Sequence, residues 1–178
     1  MIKLLILIFL SFPVFGKNLY FTRSGSVSFF SSTLIEDIKA KNDQVTCVLD
    51  AESGQASFRI PIRGFTFKNA LMQEHFNENY LESEKYPNAS FSGFIEGWKD
   101  TKFNAIPTPI MISGEMTIHG IKQKIKENGT IQMKNNKIYG NATFNLFVAD
   151  YGVEIPKIVR ENIAKSLSID IELILKKK

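Results

Sequence analysis

The chain has 178 residues, of which 44% are hydrophobic and 22% are charged, and its formal net charge is +4. This balance is typical of a globular protein and excludes the disordered and collagen-like classes. The length suits a single domain with a substantial core. Acidic and basic residues are interspersed, and the only basic run is 176–178. We therefore predict no nucleic-acid partner.

The first 16 residues have the pattern of a secretory signal peptide. A basic start at Lys3 precedes an apolar stretch over 4–12, and small residues lie just before position 17. We predict that residues 1–16 are removed and that 17–178 form the mature domain, in the periplasm or outside the cell. The apolar stretch is shorter than the roughly 20 residues needed to cross a bilayer, so no transmembrane segment is expected. The alternative is an apolar first strand that stays in the fold.

Alternation of apolar and polar residues predicts a mainly β protein. The clearest run is 167–176, and a second run over 58–63 changes face at Gly64, which predicts a bulge or bend there. We expect further strands over 91–98, 110–118, 121–125, 131–133 and 138–148, with turns at 52–54, 128–129 and 135–136. Without a regular β-helix-β rhythm, a closed antiparallel barrel is favoured over a sandwich.

Three short helices are predicted among the strands. One begins at the capping-box spacing of 33–36 and extends to Ile38. The second spans 69–80 and repeats a bulky apolar residue every four positions from Met72. The third begins at Pro156, because proline is well tolerated in a first helical turn.

Few residues suggest catalysis or metal binding. The two histidines, His75 and His119, are far apart and match no zinc-ligand spacing, so we expect structural roles for both. Cys47 is the only cysteine, and its apolar neighbours predict a small buried hydrophobe. We therefore predict no catalytic residue, no metal site and no cofactor.

Phenylalanine is the conspicuous residue type, with 15 copies against 5 tyrosines and 1 tryptophan. Since this side chain has no polar group, it fills apolar space. That space is either a packed core or the lining of a cavity for an apolar ligand, and composition favours neither reading decisively.

Three segments resemble one known family. They are 72–91, which is a helix-to-strand signature, 114–120, which reads GEMTIHG, and 144–152, which ends in Asp150-Tyr151-Gly152. In order and spacing they are similar to the motifs of the YceI-like family, the polyisoprenoid-binding proteins of bacteria. The resemblance covers nearly all of the predicted mature chain.

This resemblance implies a lipocalin-like closed antiparallel β-barrel of about eight strands with two or three short helices. It also implies an exported, non-enzymatic protein whose apolar cavity carries or sequesters an isoprenoid-type amphiphile, such as a polyprenyl lipid or a quinone. From the alternation pattern we predict that the ligand-binding residues are Phe58, Ile60, Ile62, Phe65, Phe67, Met72, Phe76, Phe91, Ile95, Met116, Ile118, Phe144 and Leu146.

The chain departs from the family pattern at one position. Many relatives have a basic residue three positions before the motif histidine, where this chain has Met72. Recognition of a pyrophosphate head at that point is therefore in doubt, and Arg59, Arg63 or Lys124 could supply charge instead. Two other functions stay open: a cyclase or isomerase on the same fold, and an exported interaction protein with a filled core. A homodimer also stays open.

Overall fold

The structure is a computed structural model, and it describes residues 18–32, 37–100, 104–155 and 166–178. These residues form nine strands in one antiparallel sheet, with a short helix between the fourth and fifth strands. The strands are β1 (Leu19–Ser31), β2 (Ile38–Asp50), β3 (Gln55–Pro61), β4 (Thr66–Phe67), β5 (Asn88–Ile95), β6 (Thr108–Ile118), β7 (Ile121–Lys134), β8 (Lys137–Phe147) and β9 (Ser166–Lys177).

Eight of these strands close into a barrel. The spatial order is β1-β9-β8-β7-β6-β5-β3-β2, and β1 pairs with β2 to complete the circle. The two-residue strand β4 is added to β2 outside this ring. The predicted closed antiparallel barrel is therefore confirmed, and the sandwich alternative is wrong.

The two asparagine-containing turn predictions have different outcomes. Asn135 and Asn136 have φ values of 52° and 57° and form the tight β7–β8 hairpin, as expected. The turn predicted at 128–129 is wrong, because both residues lie inside β7 and pair with β6. A Cβ at Gly129 would lie 2.8 Å from the Asn141 carbonyl oxygen, so this glycine permits close strand approach instead of a turn.

The predicted bend after β3 is confirmed as a 3-10 turn over Ile62–Gly64. The fully buried Asn42 of β2 holds it, since its Nδ2 donates to the Pro61 carbonyl at 2.7 Å. Its Oδ1 accepts from the Gln44 N–H at 2.7 Å. Elsewhere, the strand predicted over 91–98 ends at Ile95, and Trp98 begins a separate 3-10 turn.

The predicted helix over 69–80 is present. Helix α1 (Ala70–His75) is capped by the Asn69 side chain, which accepts from the Leu71 N–H at 2.9 Å, and a π-helical turn over Phe76–Tyr80 continues it. The predicted helix starts at 33–36 and Pro156, and the predicted signal peptide at 1–16, lie outside the described residues. Ile38 is the first residue of β2 and not part of a helix, because the barrel ladder includes it.

Candidate functional site

The barrel interior contains an apolar cavity of about 180 Å³. Its wall follows from the period-two alternation, because alternate residues of each strand point to the same face of the sheet. In β9, Leu167, Ile169 and Ile171 line the cavity, while the intervening Asp170 is exposed. The volume slightly exceeds that of a dry engineered cavity of about 150 Å³ that binds benzene. The barrel interior is therefore the candidate functional site.

All but two of the predicted ligand-binding residues line this cavity. They come from β3, the bend that follows it, the π-helical turn, and strands β5, β6 and β8. Their contact with a ligand stays a prediction. These residues are Phe58, Ile60, Ile62, Phe65, Phe76, Phe91, Ile95, Met116, Ile118, Phe144 and Leu146.

The two exceptions are Phe67 and Met72, which are absent from the cavity lining. Phe67 lies on β4, which joins the edge of β2 at Ala40 instead of entering the ring of eight strands. Met72 lies in α1, half-buried, one turn before the chain reaches the barrel interior. Of the two ligand-binding residues predicted from the apolar stripe of this helix, only Phe76 thus lines the cavity.

Four phenylalanine rings pack together beside the cavity. The aromatic plug, as we name Phe29, Phe65, Phe67 and Phe76, has contacting ring centroids 5.0 to 5.8 Å apart. Phe76 touches the other three rings. The phenylalanine excess therefore serves both purposes that composition left open, since Phe58, Phe91 and Phe144 line the cavity while Phe67 packs outside it.

Several lining residues were missed by the sequence prediction. The alternation in 167–175 predicted β9 correctly, and the same parity would have assigned its apolar residues to the interior. In β1 the alternation is less regular, because register shifts near Gly25 interrupt its pairing with β2. The main missed residues are Val27, Phe29, Leu49, Ile131, Leu167, Ile169, Ile171, Leu173 and Leu175.

Few ionisable groups line the cavity. Glu127 of β7 does so, and burial raises the pKa of its carboxyl. Tyr151 is only 4% exposed, and its pKa is raised by burial, then by the negative charges of Asp150 and Glu127. Burial raises the pKa of the Cys47 thiol to about 12, so this cysteine is buried as predicted and protonated at neutral pH.

The two histidines lie outside the cavity lining. His75 is exposed on α1. His119 contacts Glu82, the Tyr151 carbonyl and the edge of the Tyr86 ring, which is the hydrogen-bonded structural role expected for it. Within the described residues, no three histidine, cysteine or acidic side chains cluster in a way that could hold a metal ion. In that same part of the chain, no helix is long and apolar enough to cross a membrane.

Comparison with known proteins gives both a family and a fold. The sequence model of the YceI-like domain matches residues 20–175. A polyisoprenoid-binding domain from Saccharophagus degradans, implicated in plant cell wall breakdown, is 14% identical and has a TM-score of 0.78, with 92% of this chain and 100% of that one covered. No curated protein matches the chain.

Two further solved structures share the fold. Burkholderia cenocepacia BcnA is 14% identical with a TM-score of 0.71, and the alignment covers 84% of this chain and 95% of that one. The YCEI protein of Campylobacter jejuni is 17% identical with a TM-score of 0.63, covering 83% and 90%. At these identities the likeness shows a common barrel.

Proposed function

The chain belongs to the YceI-like family, and from this premise we propose that it is an exported protein that carries or sequesters an isoprenoid-type amphiphile in its barrel. The observation that carries the proposal is the cavity in the barrel interior, whose wall is apolar over almost its whole extent. An isoprenoid chain needs such a wall because it offers no directional contacts. Each 100 Å² of chain removed from water gains about 2.5 kcal/mol before the cost of association.

The cavity is small for an isoprenoid ligand. Pockets for drug-sized ligands measure about 300–1,000 Å³, whereas this cavity measures about 180 Å³. A long isoprenoid chain would therefore need side chains to move aside. The half-buried Phe76 of the aromatic plug is the best placed to do so, because it belongs to the short helical segment and not to the barrel ladder.

Two further observations support the proposal. The Saccharophagus degradans relative, which is a polyisoprenoid-binding domain, has the same barrel. The signal-peptide pattern at 1–16 supports export. Membership of the YceI-like family, which is periplasmic in bacteria, supports it as well. Binding is favoured over catalysis because the cavity lining is apolar apart from a few polar side chains. One of these, the Cys47 thiol, is protonated at neutral pH and is therefore a poor nucleophile.

The test starts from the full chain, produced with its own first 16 residues in a bacterial host. Protein from the periplasmic fraction is purified without detergent and measured by native mass spectrometry, followed by solvent extraction of any bound lipid. We expect the mass of a chain that begins at Lys17, with an isoprenoid-type lipid bound in a near-stoichiometric amount. Retention in the cytoplasm would contradict export, and an apo mass with no rise in Tm on adding polyprenyl lipids or quinones would contradict the carrier function.

A cavity-filling variant makes the test specific. A Cβ at Gly140 would meet nothing nearer than Leu173 at 3.9 Å, so Gly140→Leu directs its side chain into the cavity. Asn145→Leu is the control, because Asn145 is an exposed residue of the same strand. We expect the first variant to lose bound lipid and the second to keep it.

A further inference from the structure

Among the described residues, the strand ladder between β7 and β8 is incomplete. The two strands pair only from Lys134 with Lys137 to Thr130 with Asn141. Beyond that point β7 continues against β6 as far as Ile121, and β8 continues against β9 as far as Phe147. The edges of 121–129 and 142–147 thus face each other without ladder pairs, and we name this opening the β7–β8 window.

The window has a defined frame. At one end is the β7–β8 hairpin. At the other, the 3-10 turn over Val148–Tyr151 is fastened to β7, since Gln123 Nε2 donates to the Asp150 carbonyl at 2.7 Å. Ile121 packs beside Gly152, because a Cβ added at Gly152 would lie 2.7 Å from the Cδ1 atom of Ile121. The opening therefore lies between two fixed ends and is not a frayed strand.

Glu127 lies on the window edge and lines the cavity. It pairs with Ile112 of β6, which also lines the cavity, so both residues lie on the inner face of the sheet. In the described part of the chain, no hydrogen bond or ion pair involves its carboxylate. Burial raises its pKa with no compensating partner, which is an unfavourable position for a carboxylate.

Two acidic residues outside the barrel, Glu115 of β6 and Glu96 just after β5, each have a lysine partner. Glu96 lies 2.9 Å from Lys126 Nζ and also accepts from the Ser113 hydroxyl. Glu115 lies 3.3 Å from Lys122 Nζ. Two lysines of β7, Lys122 and Lys126, thus pair with outward carboxylates. Among the described residues, no lysine pairs in this way with Glu127 on the inner face.

The cavity side of the window carries negative charge and no positive charge among the described lining residues. Tyr151 also lines the cavity, and its pKa is raised in part by the charge of Glu127. None of the described lining residues is a lysine, arginine or histidine. The β7 lysines at 122, 124 and 126 lie on the outer face of the sheet. A phosphate on the cavity side would therefore meet the repulsion of Glu127, whereas an ammonium or a hydroxyl would find an acceptor there.

We propose that the β7–β8 window holds the polar head of the ligand and that Glu127 selects a head that donates hydrogen bonds, an ammonium before a hydroxyl, over a pyrophosphate. The isoprenoid chain then lies in the cavity behind it. This inference rests on the proposed lipid-binding function and specifies its ligand class. It also accounts for an unpartnered carboxylate in an otherwise apolar wall.

The test uses three lipids with the same C20 isoprenoid chain and different heads: the primary amine, the alcohol and the pyrophosphate. Dissociation constants are measured at neutral pH for the wild-type protein and for Glu127→Gln and Glu115→Gln. We expect the wild type to bind the amine about tenfold more tightly than the pyrophosphate. Glu127→Gln should weaken amine binding at least about fivefold and leave alcohol binding nearly unchanged, while Glu115→Gln, on the outer face, should match the wild type.

The possible outcomes distinguish a failure of the head-group inference from a failure of the proposed lipid-binding function. Equal binding of all three lipids, or preference for the pyrophosphate, would overturn the head-group inference and leave the carrier function standing. Equal effects of the two glutamine variants would also overturn it. Failure of every lipid to bind would overturn both. The wild-type order alone is decisive even if a variant fails to fold.

Discussion

His119 Nε2 lies 2.6 Å from Glu82 Oε2, and this pair joins the β6–β7 turn to the segment that follows the π-helical turn. His119 Nδ1 lies 3.3 Å from the Tyr151 carbonyl oxygen, so one imidazole links three separate segments near one end of the barrel. One partner is a side-chain carboxylate and the other is a backbone carbonyl. The histidine that sequence analysis treated as structural is thus a connecting residue between the turns.

The first prediction separates the side-chain contacts of His119 from its backbone conformation. Its φ is 51°, which asparagine tolerates and alanine does not. We expect His119→Asn to lower the free energy of unfolding by about 1–2 kcal/mol through the lost hydrogen bonds. His119→Ala should lower it further because of backbone strain. Urea unfolding measures both, and an asparagine variant as stable as the wild type would show that the Glu82 contact contributes nothing.

The second prediction concerns the aromatic plug. Phe76 contacts Phe29, Phe65 and Phe67, so Phe76→Ala should lower the free energy of unfolding by about 2–4 kcal/mol and enlarge the cavity. Leu71→Ala is a control on the same helical segment, because Leu71 is 56% exposed. Its effect should stay within about 0.5 kcal/mol. Equal losses in the two variants would mean that the plug does not stabilise the fold.

Strand alternation made much of this fold predictable, but it could not locate every contact. The regular pattern of 167–176 predicted β9 because one face of that strand is buried and the other is exposed. Asn128-Gly129 looked like a turn because the sequence does not reveal that Gly129 lies against the Asn141 carbonyl of a neighbouring strand. Such close approaches depend on the tertiary fold.

In the candidate site, too, strand alternation predicted some positions, while others depend on the tertiary fold. Parity within a strand placed Phe58 and Ile60 on the inner face, where the structure has them. Parity did not show that Phe67 and Met72 lie outside the cavity lining, because the direction of β4 and α1 relative to the barrel depends on the bend at Ile62–Gly64. Glu127 was missed because alternation identifies interiors by apolar residues, and a carboxylate on the inner face interrupts that signal.

The third prediction concerns Cys47. Since burial raises the pKa of its thiol to about 12, the folded protein at pH 8 should react very slowly with a thiol reagent such as a nitrobenzoate disulfide. In denaturing urea one thiol per chain should react rapidly. Fast labelling of the folded protein would show that the β2 region opens readily, and the Tm of the labelled product would then report the consequence for the fold.

The fourth prediction links Glu127 to the pH dependence of stability. Because burial raises the folded-state pKa of its carboxyl, the unliganded fold prefers the protonated form, and this contribution is lost as the pH rises through that pKa. Glu127→Gln is neutral at every pH. Its Tm should therefore exceed that of the wild type at pH 8 by on the order of 1–3 °C, and the difference should close below the ordinary glutamate pKa of about 4.3.

The matched control for this pH series is Glu115→Gln, whose carboxylate lies on the outer face beside Lys122. It should gain no stability at pH 8, because its charge is solvated and paired. If Glu127→Gln is no more stable than the wild type at pH 8, Glu127 is not desolvated enough to matter. If it is more stable and also binds the amine lipid less well, the carboxylate lowers the stability of the empty barrel while strengthening its hold on a ligand, as expected of a group retained for binding.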